Sequence, residues 1–392
     1  MDATTRERWR MTVEARALVL VTAVLVAVGL AVLYSASALQ AVSKGSPGHF
    51  FLLRQALGVA VGAVAFAVLA KLDAEHWRRW AWPIMGLGLF LMLAVFIPGL
   101  NAYGKEFHGA RRYLFGGSLQ PSEFAKFAIL VWTPMLIVKK GPALRQFGKG
   151  LVPFAIVIGA LCVLAASEPD ISMAITYALL LAVLLFAGGC RLAHLALAGS
   201  VALFALGAVA MSKPHVRERV RSFLAGEQVT TERVASTGDQ QYQSLVAVGS
   251  GGLLGVGFSQ GNQQRGWLPL AYNDFIGSIV GEELGFVGLA GITLAFALYG
   301  WLGFRIARQA RSPYCALLAI GLTFTTVFTA FVHLGVVIGL VFNTGLTLPF
   351  VSYGRSNLLL TLAMTGMLVN IGSTRERVYG VAATDPLAPS LA

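Results

Sequence analysis

Apolar runs of about twenty residues recur along this chain, and that is the length a helix needs to cross a bilayer. Ten are read, near residues 16–38, 51–70, 81–99, 121–138, 151–167, 172–188, 192–211, 276–303, 315–341 and 347–372. They constrain the fold more than any other feature, because backbone polar groups in hydrocarbon must be paired inside the protein. Only 12% of the 392 residues are charged, against about 25% in soluble domains. The expected fold class is all-α, a polytopic membrane protein of about ten transmembrane helices. Runs five and six are divided only by "SEPDI". The "ASA" at 36–38 follows an apolar run longer than a signal-peptide core, so the first run is read as a helix and not a cleaved signal.

Residues 1–15 are the expected cytoplasmic arm, 16–372 the transmembrane domain, and 373–392 a tail that reads as disordered. The largest polar insertion, 212–275, falls between the seventh and eighth helices. Lys and Arg gather on the cytoplasmic side of membrane proteins. With the N-terminus inside, the inner segments collect Arg6, Arg8, Arg10, Arg78, Arg79, Lys139, Lys140, Arg305 and Arg308, and the short outer loops hold few. Both termini are therefore expected in the cytoplasm and 212–275 outside. The net charge of +12 is this topological signal, so no nucleic-acid partner is expected. Cys162, Cys190 and Cys315 read as packing residues, and His108, His215 and His333 follow no metal-ligand spacing.

Ionisable groups inside an apolar protein usually face a cavity or one another. Glu123 and Lys126 lie at i,i+3 on one face of the fourth helix, which opens at Pro121. They are either an internal ion pair or a pair that also lines a polar site. In "SEPDIS", Glu168 and Asp170 suit an exposed turn or the same site. "KPHVRERVRSFL" spaces Val216, Val220, Phe223 and Leu224 as an interfacial helix, with arginines on other faces. "YQSLVAVGSGGLLGVGF" is Gly-rich, shorter than a span, and suits a re-entrant segment.

Three carboxylates share "YNDFIGSIVGEELGF". Asp274 sits at the expected start of the eighth helix, as a cap or as a functional group near outer water. Glu282 lies about 12 Å deeper by helix rise, and it and Glu283 suit internal hydrogen bonds. Gly281 and Gly285 read as a small-xxx-small contact. "GLTLPFVSYGRSNLLL" opens the tenth helix, with Pro349 and Gly354 interrupting it. Its Ser352, Tyr353 and Arg355 either face a groove or pack locally. The sum is a polar cavity toward the outer leaflet, suited to an anionic substrate with a lipid tail, to be moved or chemically changed.

These segments resemble, in order and spacing, the SEDS proteins (shape, elongation, division, sporulation), the group of RodA, FtsW and SpoVE. The segments are "GARRYL…LQPSEFAKFA", "EPDIS", "YQSLVAVGSGGLLGVGF", "NDFIGSIVGEELGF" and "GLTLPFVSYGRSN". The likeness spans nearly the whole chain and leans toward the FtsW branch. It implies an inverting glycosyltransferase that polymerises peptidoglycan strands from lipid II at the outer face of the bacterial plasma membrane, in division or elongation. By the resemblance Asp274 is the general base, and Arg111, Arg112, Glu123, Lys126, Asp170, Ser352, Tyr353 and Arg355 surround the substrate. A divalent cation, Mg or Mn, on Asp274 or Glu123 is a further expectation. So is a class B penicillin-binding protein as transpeptidase partner, among membrane lipids and other divisome or elongasome proteins. A lipid II flippase and a non-catalytic scaffold are the alternatives. The chain departs from the family in "YNDF" for "HTDF", in Arg355 for the second glycine of "SYGGS", and in "PDISM" for "PDLGT". The usual Asn near His333 and the usual Pro near Phe342 are also missing.

Overall fold

The computed structural model describes residues 6–97, 114, 120–168, 170–212, 216–217, 220 and 237–378. Each expected apolar run holds a helix there, though the last run is helical only from Arg355. These are α1 (Val13–Ser43), α2 (Phe50–Lys71), α3 (Trp77–Ala94), α4 (Pro121–Lys140) and α5 (Val152–Ser167). Next come α6 (Ile171–Ala187) and α7 (Leu192–Ser212). The 212–275 insertion holds a helix of its own, α8 (Thr237–Gly251), and a single turn, Ala271–Asp274. The long α9 (Ile276–Arg308), α10 (Pro313–Val337) and α11 (Arg355–Ile371) complete the bundle. Most of the expected interfacial helix lies outside the described residues.

Among the described residues seven helices are long and apolar enough to cross a membrane: α1, α2, α4, α5, α7, α9 and α10. α6 is apolar but has 17 residues. α11, also 17 residues, carries buried Thr361, Thr365 and Asn370. Protein surrounds it, so its polar groups find protein partners. Thr365 shares a hydrogen bond with the Tyr299 hydroxyl at 3.0 Å. Asn370 donates to Ala70 O at 3.0 Å and accepts from Ala74 N at 2.9 Å. α11 packs on α2 where Gly62 and Gly366 let the backbones approach. A Cβ on Gly62 would come within 2.5 Å of Leu362 Cδ1, and one on Gly366 would strike Phe66 O.

The bundle brings its two chain ends together. Thr12 donates to Gly372 O from both its backbone N (3.2 Å) and its Oγ1 (2.7 Å). Beyond that junction β1 (Arg6–Met11) pairs antiparallel with β2 (Ser373–Val378), Met11 opposite Ser373 and Arg6 opposite Val378. The disordered tail read from 373 onward is corrected over these six residues, and 379–392 lie outside the described residues. The physical reason is loop closure: once α1 and α11 juxtapose the ends, little entropy opposes their pairing.

α9 is not one continuous helix. At Gly285 (φ 64°, ψ −159°) its ladder breaks, and the turn after α8 crosses the break. Val256 N donates to Glu282 O (2.9 Å), Gly257 N to Glu283 O (3.1 Å) and Phe286 N to Gly252 O (2.8 Å). The backbone groups freed by the break are thereby satisfied, as burial demands. Gly285 thus admits a loop backbone rather than a partner helix. A Cβ there would strike Gly255 N and lie 2.6 Å from Leu253 O. Gly285→Ala is expected to cost about 1–3 kcal/mol through strain at a glycine-only conformation. A thermal melt in detergent should show a lower Tm for it, and no loss for Gly291→Ala, where nothing lies within 4 Å.

Candidate functional site

Asp274 ends the one-turn helix Ala271–Asp274, and Phe275 (φ −131°) takes the cap position of α9 without a side-chain cap bond. The cap reading of Asp274 is therefore corrected: Leu270 (φ 55°) starts an extra turn, which moves the carboxylate out of cap register. Asp274 is half-buried. Its Oδ2 lies 3.8 Å from where a Cβ on Gly345 would be, so the side chain is turned toward the stretch 341–354.

That stretch is non-helical, and α11 begins only at Arg355 rather than near 347. Irregular backbone inside an apolar protein survives when other groups satisfy its N–H and C=O. Here side chains do so. Ser352 Oγ accepts from Leu348 N (2.8 Å) and donates to Asn273 O (2.7 Å). Gln55 on α2 donates to Ser352 O (3.0 Å) and accepts from Gly354 N (3.3 Å). Asn343 Oδ1 accepts from Gly345 N (3.0 Å), and Ser172 on α6 donates to Thr344 O (2.6 Å). Tyr353 N donates to Tyr272 O (3.0 Å). The rings of Tyr272, Tyr353 and Phe51 pack with centroids 4.8–5.8 Å apart.

Ser352 and Tyr353 therefore hold Asn273 and Tyr272, the neighbours of Asp274. Arg355 opens α11 with its stem against Gly58 of α2, Cγ lying 3.6 Å from a Cβ placed there. Of the supporting residues, Gln55, Ser172 and Asn343 escaped the sequence reading. A lone glutamine in the apolar run 51–70 was the available signal for the first.

A second polar group stands where α4 meets α6. Lys126 Nζ is 2.7 Å from Glu123 Oε2, with both side chains under a tenth exposed. Tyr177 on α6 donates to Ser122 O (2.6 Å), tying the two helices beside that pair. Asp170 caps α6, accepting from Met173 N (3.3 Å), and Glu168 is buried just before it. Glu123, Glu168 and Asp170 all act electrostatically on the Tyr177 hydroxyl. Ser172, two residues beyond Asp170, reaches Thr344 and so joins this group to the stretch facing Asp274. Arg111 and Arg112 lie outside the described residues.

Glu282 and Glu283 serve structure. Glu282 accepts from Asn262 N (2.7 Å) and Gln263 N (3.2 Å). Ser35 of α1 donates to Glu283, and its hydroxyl also lies 2.9 Å from Gln264 Oε1. Among the described residues no three His, Cys, Asp or Glu gather as a metal cage.

The family model described as Cell cycle protein, that of FtsW, RodA and SpoVE, matches residues 15–377. The chain belongs to this family. It is similar to the probable peptidoglycan glycosyltransferase FtsW of Trichlorobacter lovleyi, 37% identical over 358 residues, 91% of this chain and 92% of that one. Stage V sporulation protein E of Bacillus subtilis is 35% identical over 356 residues, 90% of this chain and 95% of that one. Its fold resembles a chain from a peptidoglycan synthase complex solved for its coordination of polymerization and crosslinking. That match has a TM-score of 0.72 at 27% identity, covering 91% of this chain and 97% of the other. Rod shape determining protein RodA of Thermus thermophilus matches with TM-score 0.64 at 25% identity, over 91% and 95%.

Breaking a buried ion pair from one side costs about 3–5 kcal/mol, because a charge is left without its partner. Lys126→Met is expected to lower the Tm of this FtsW/RodA/SpoVE-family protein in detergent. Adding Glu123→Gln should recover most of the loss, since the stranded carboxylate is gone.

Proposed function

We propose that the chain polymerises peptidoglycan glycan strands from lipid II, as an inverting glycosyltransferase with Asp274 as general base. The observation that carries this reading is the setting of Asp274. Asp274 lies one residue before the cap position of α9, which Phe275 takes, and it faces Gly345 on a stretch whose backbone is held by side chains of α2, α6 and α10. A base must sit within reach of the proton it removes and hold still there. The activity named for the FtsW relative above agrees with that chemistry.

In the reaction, the 4-hydroxyl oxygen of the acceptor sugar bonds to the anomeric carbon of the donor. The bond from that carbon to the lipid pyrophosphate breaks, the configuration inverts, and the hydroxyl proton passes to Asp274. Negative charge grows on the departing pyrophosphate, and buried cations stabilise such charge strongly. In this reading Lys126 takes that role, with Glu123 orienting it, and Arg111 and Arg112 add pyrophosphate contacts. Asp170, Tyr353 and Arg355 border the substrate, and Ser352 steadies the wall beside Asp274. A Mg or Mn ion carried in on the pyrophosphate would need one or two carboxylates besides phosphate oxygens, and Asp274 or Glu123, the latter paired with Lys126, would supply one. Such an ion would neutralise phosphate charge.

The protein is a multi-pass plasma-membrane protein. In the proposed topology α3, α6 and α11 span with the seven apolar helices, making ten. Both termini are then cytoplasmic and Asp274 lies toward the outer face, where lipid-linked sugar is presented. What supports this is the excess of Lys and Arg at the end of the bundle that holds the Thr12–Gly372 junction. A class B penicillin-binding protein is the proposed partner, in division or elongation.

Purified protein with its transpeptidase partner, supplied with lipid II, should yield glycan strands on a gel, and Asp274→Ala should yield none. Equal polymer from both would sink the base assignment. The stabilised Glu123→Gln/Lys126→Met variant is expected to fold and still make no polymer. Wild-type polymer from it would remove Lys126 from the mechanism.

A further inference from the structure

His333 lies in α10, is 1% exposed, and bonds to nothing on its own helix among the contacts described. Its Nδ1 is 2.9 Å from Leu346 O, and its Nε2 is 3.3 Å from Gly277 N. A carbonyl can only accept, so Nδ1 carries the proton. A backbone N–H can only donate, so Nε2 presents its lone pair. The ring is the neutral Nδ1–H tautomer, with both nitrogens engaged.

The two partners matter more than the ring. Gly277 is three residues past Asp274 in the first turn of α9, where N–H groups have no acceptor within the helix. α9 has no side-chain cap, so His333 supplies an acceptor from a neighbouring helix. Leu346 directly follows Gly345, the residue that Asp274 faces. One imidazole thus spans both walls of the Asp274 site: the helix that follows the carboxylate and the stretch opposite it. The fit is close, since a Cβ on Gly277 would lie 3.0 Å from Val337 Cγ2 and 3.3 Å from Nε2. A histidine that merely filled the core would need neither bond to reach these particular segments.

We propose that His333 is a positioning residue for Asp274, setting the gap between the start of α9 and the 343–346 backbone in which the carboxylate works. This rests on the reading of Asp274 as base. It touches no reacting atom itself and acts through the geometry it imposes. Misplacement of a reacting group by about 1 Å can cost on the order of a hundredfold in rate, so the effect belongs in kcat rather than in substrate affinity.

The test compares wild type, His333→Phe, His333→Asn and Gly277→Ala, each with its transpeptidase partner and lipid II, with kcat, KM and Tm measured in parallel. His333→Phe keeps the ring's shape and deletes both bonds. Its kcat is expected to fall roughly ten- to a hundredfold with KM for lipid II within about twofold. His333→Asn keeps a donor and an acceptor on a shorter arm and should regain much of that rate. Gly277→Ala presses on the same bond from the other side and should lower kcat with the imidazole still present. A folded His333→Phe with wild-type kcat overturns the proposal. If that variant does not fold, Gly277→Ala with unchanged kcat overturns it instead. A fall confined to Tm, with the folded fraction fully active, makes His333 structural and also overturns it. Failure of the underlying reading would look different, since Asp274→Ala would then polymerise as well as wild type.

Discussion

Unhelical backbone inside an apolar protein must have each N–H and C=O paired, and the stretch 341–354 is where this protein meets that demand. The stretch has to stay irregular to place Gly345 against Asp274. Its polar groups are therefore satisfied by side chains of three helices, Gln55 of α2 and Ser172 of α6, both distant in sequence, and His333 of the preceding α10. Each of these bonds is modest alone, about 1 kcal/mol net, but leaving a buried partner unmade costs more. Loss of one therefore exposes the next, which makes the wall a single unit.

The same logic organises the other irregular places. Gly285 breaks α9, and the turn after α8 supplies the missing backbone partners. Glu282 gathers the N–H groups of Asn262 and Gln263, and Glu283 meets Ser35 of α1. The carboxylates two turns into α9 therefore knit α1, α9 and the 259–265 turn together, leaving Asp274 as the member of that trio turned toward the other wall. The Glu123–Lys126 pair differs, because it is a buried charge couple and its cation is the one proposed to meet phosphate charge. A structural pair and a catalytic one look alike in a still structure, and what separates them is whether charge must appear nearby during the reaction.

Much of this was legible in the chain. Apolar runs near twenty residues placed the seven membrane-length helices among the described residues, because bilayer thickness imposes that length on any sequence. The sparse carboxylates at 123, 170 and 274 marked the candidate site, because ions in an apolar setting need a reason to be there. The start of α11 and the role of Asp274 at α9 were less legible. Pro349 and Gly354 announced an interruption, yet the same apolar composition suits a helix or a buried irregular strand of chain. Leu270 in the left-handed region adds a turn that composition does not signal.

His333 and Gln55 were visible as polar residues in apolar runs, but their partners were not. Both bond to backbone atoms of other segments, and a backbone atom has no identity in sequence. The terminal ribbon was hidden for a related reason: its strands are charged, short and 362 residues apart at their closest register pair, Met11 and Ser373. What the sequence determined by itself was the class of fold, the family and the list of ionisable groups, since each depends on local composition and order. What the tertiary structure decided was which polar group faces which, since pairing in a bundle depends on helix rotation and on where a helix breaks.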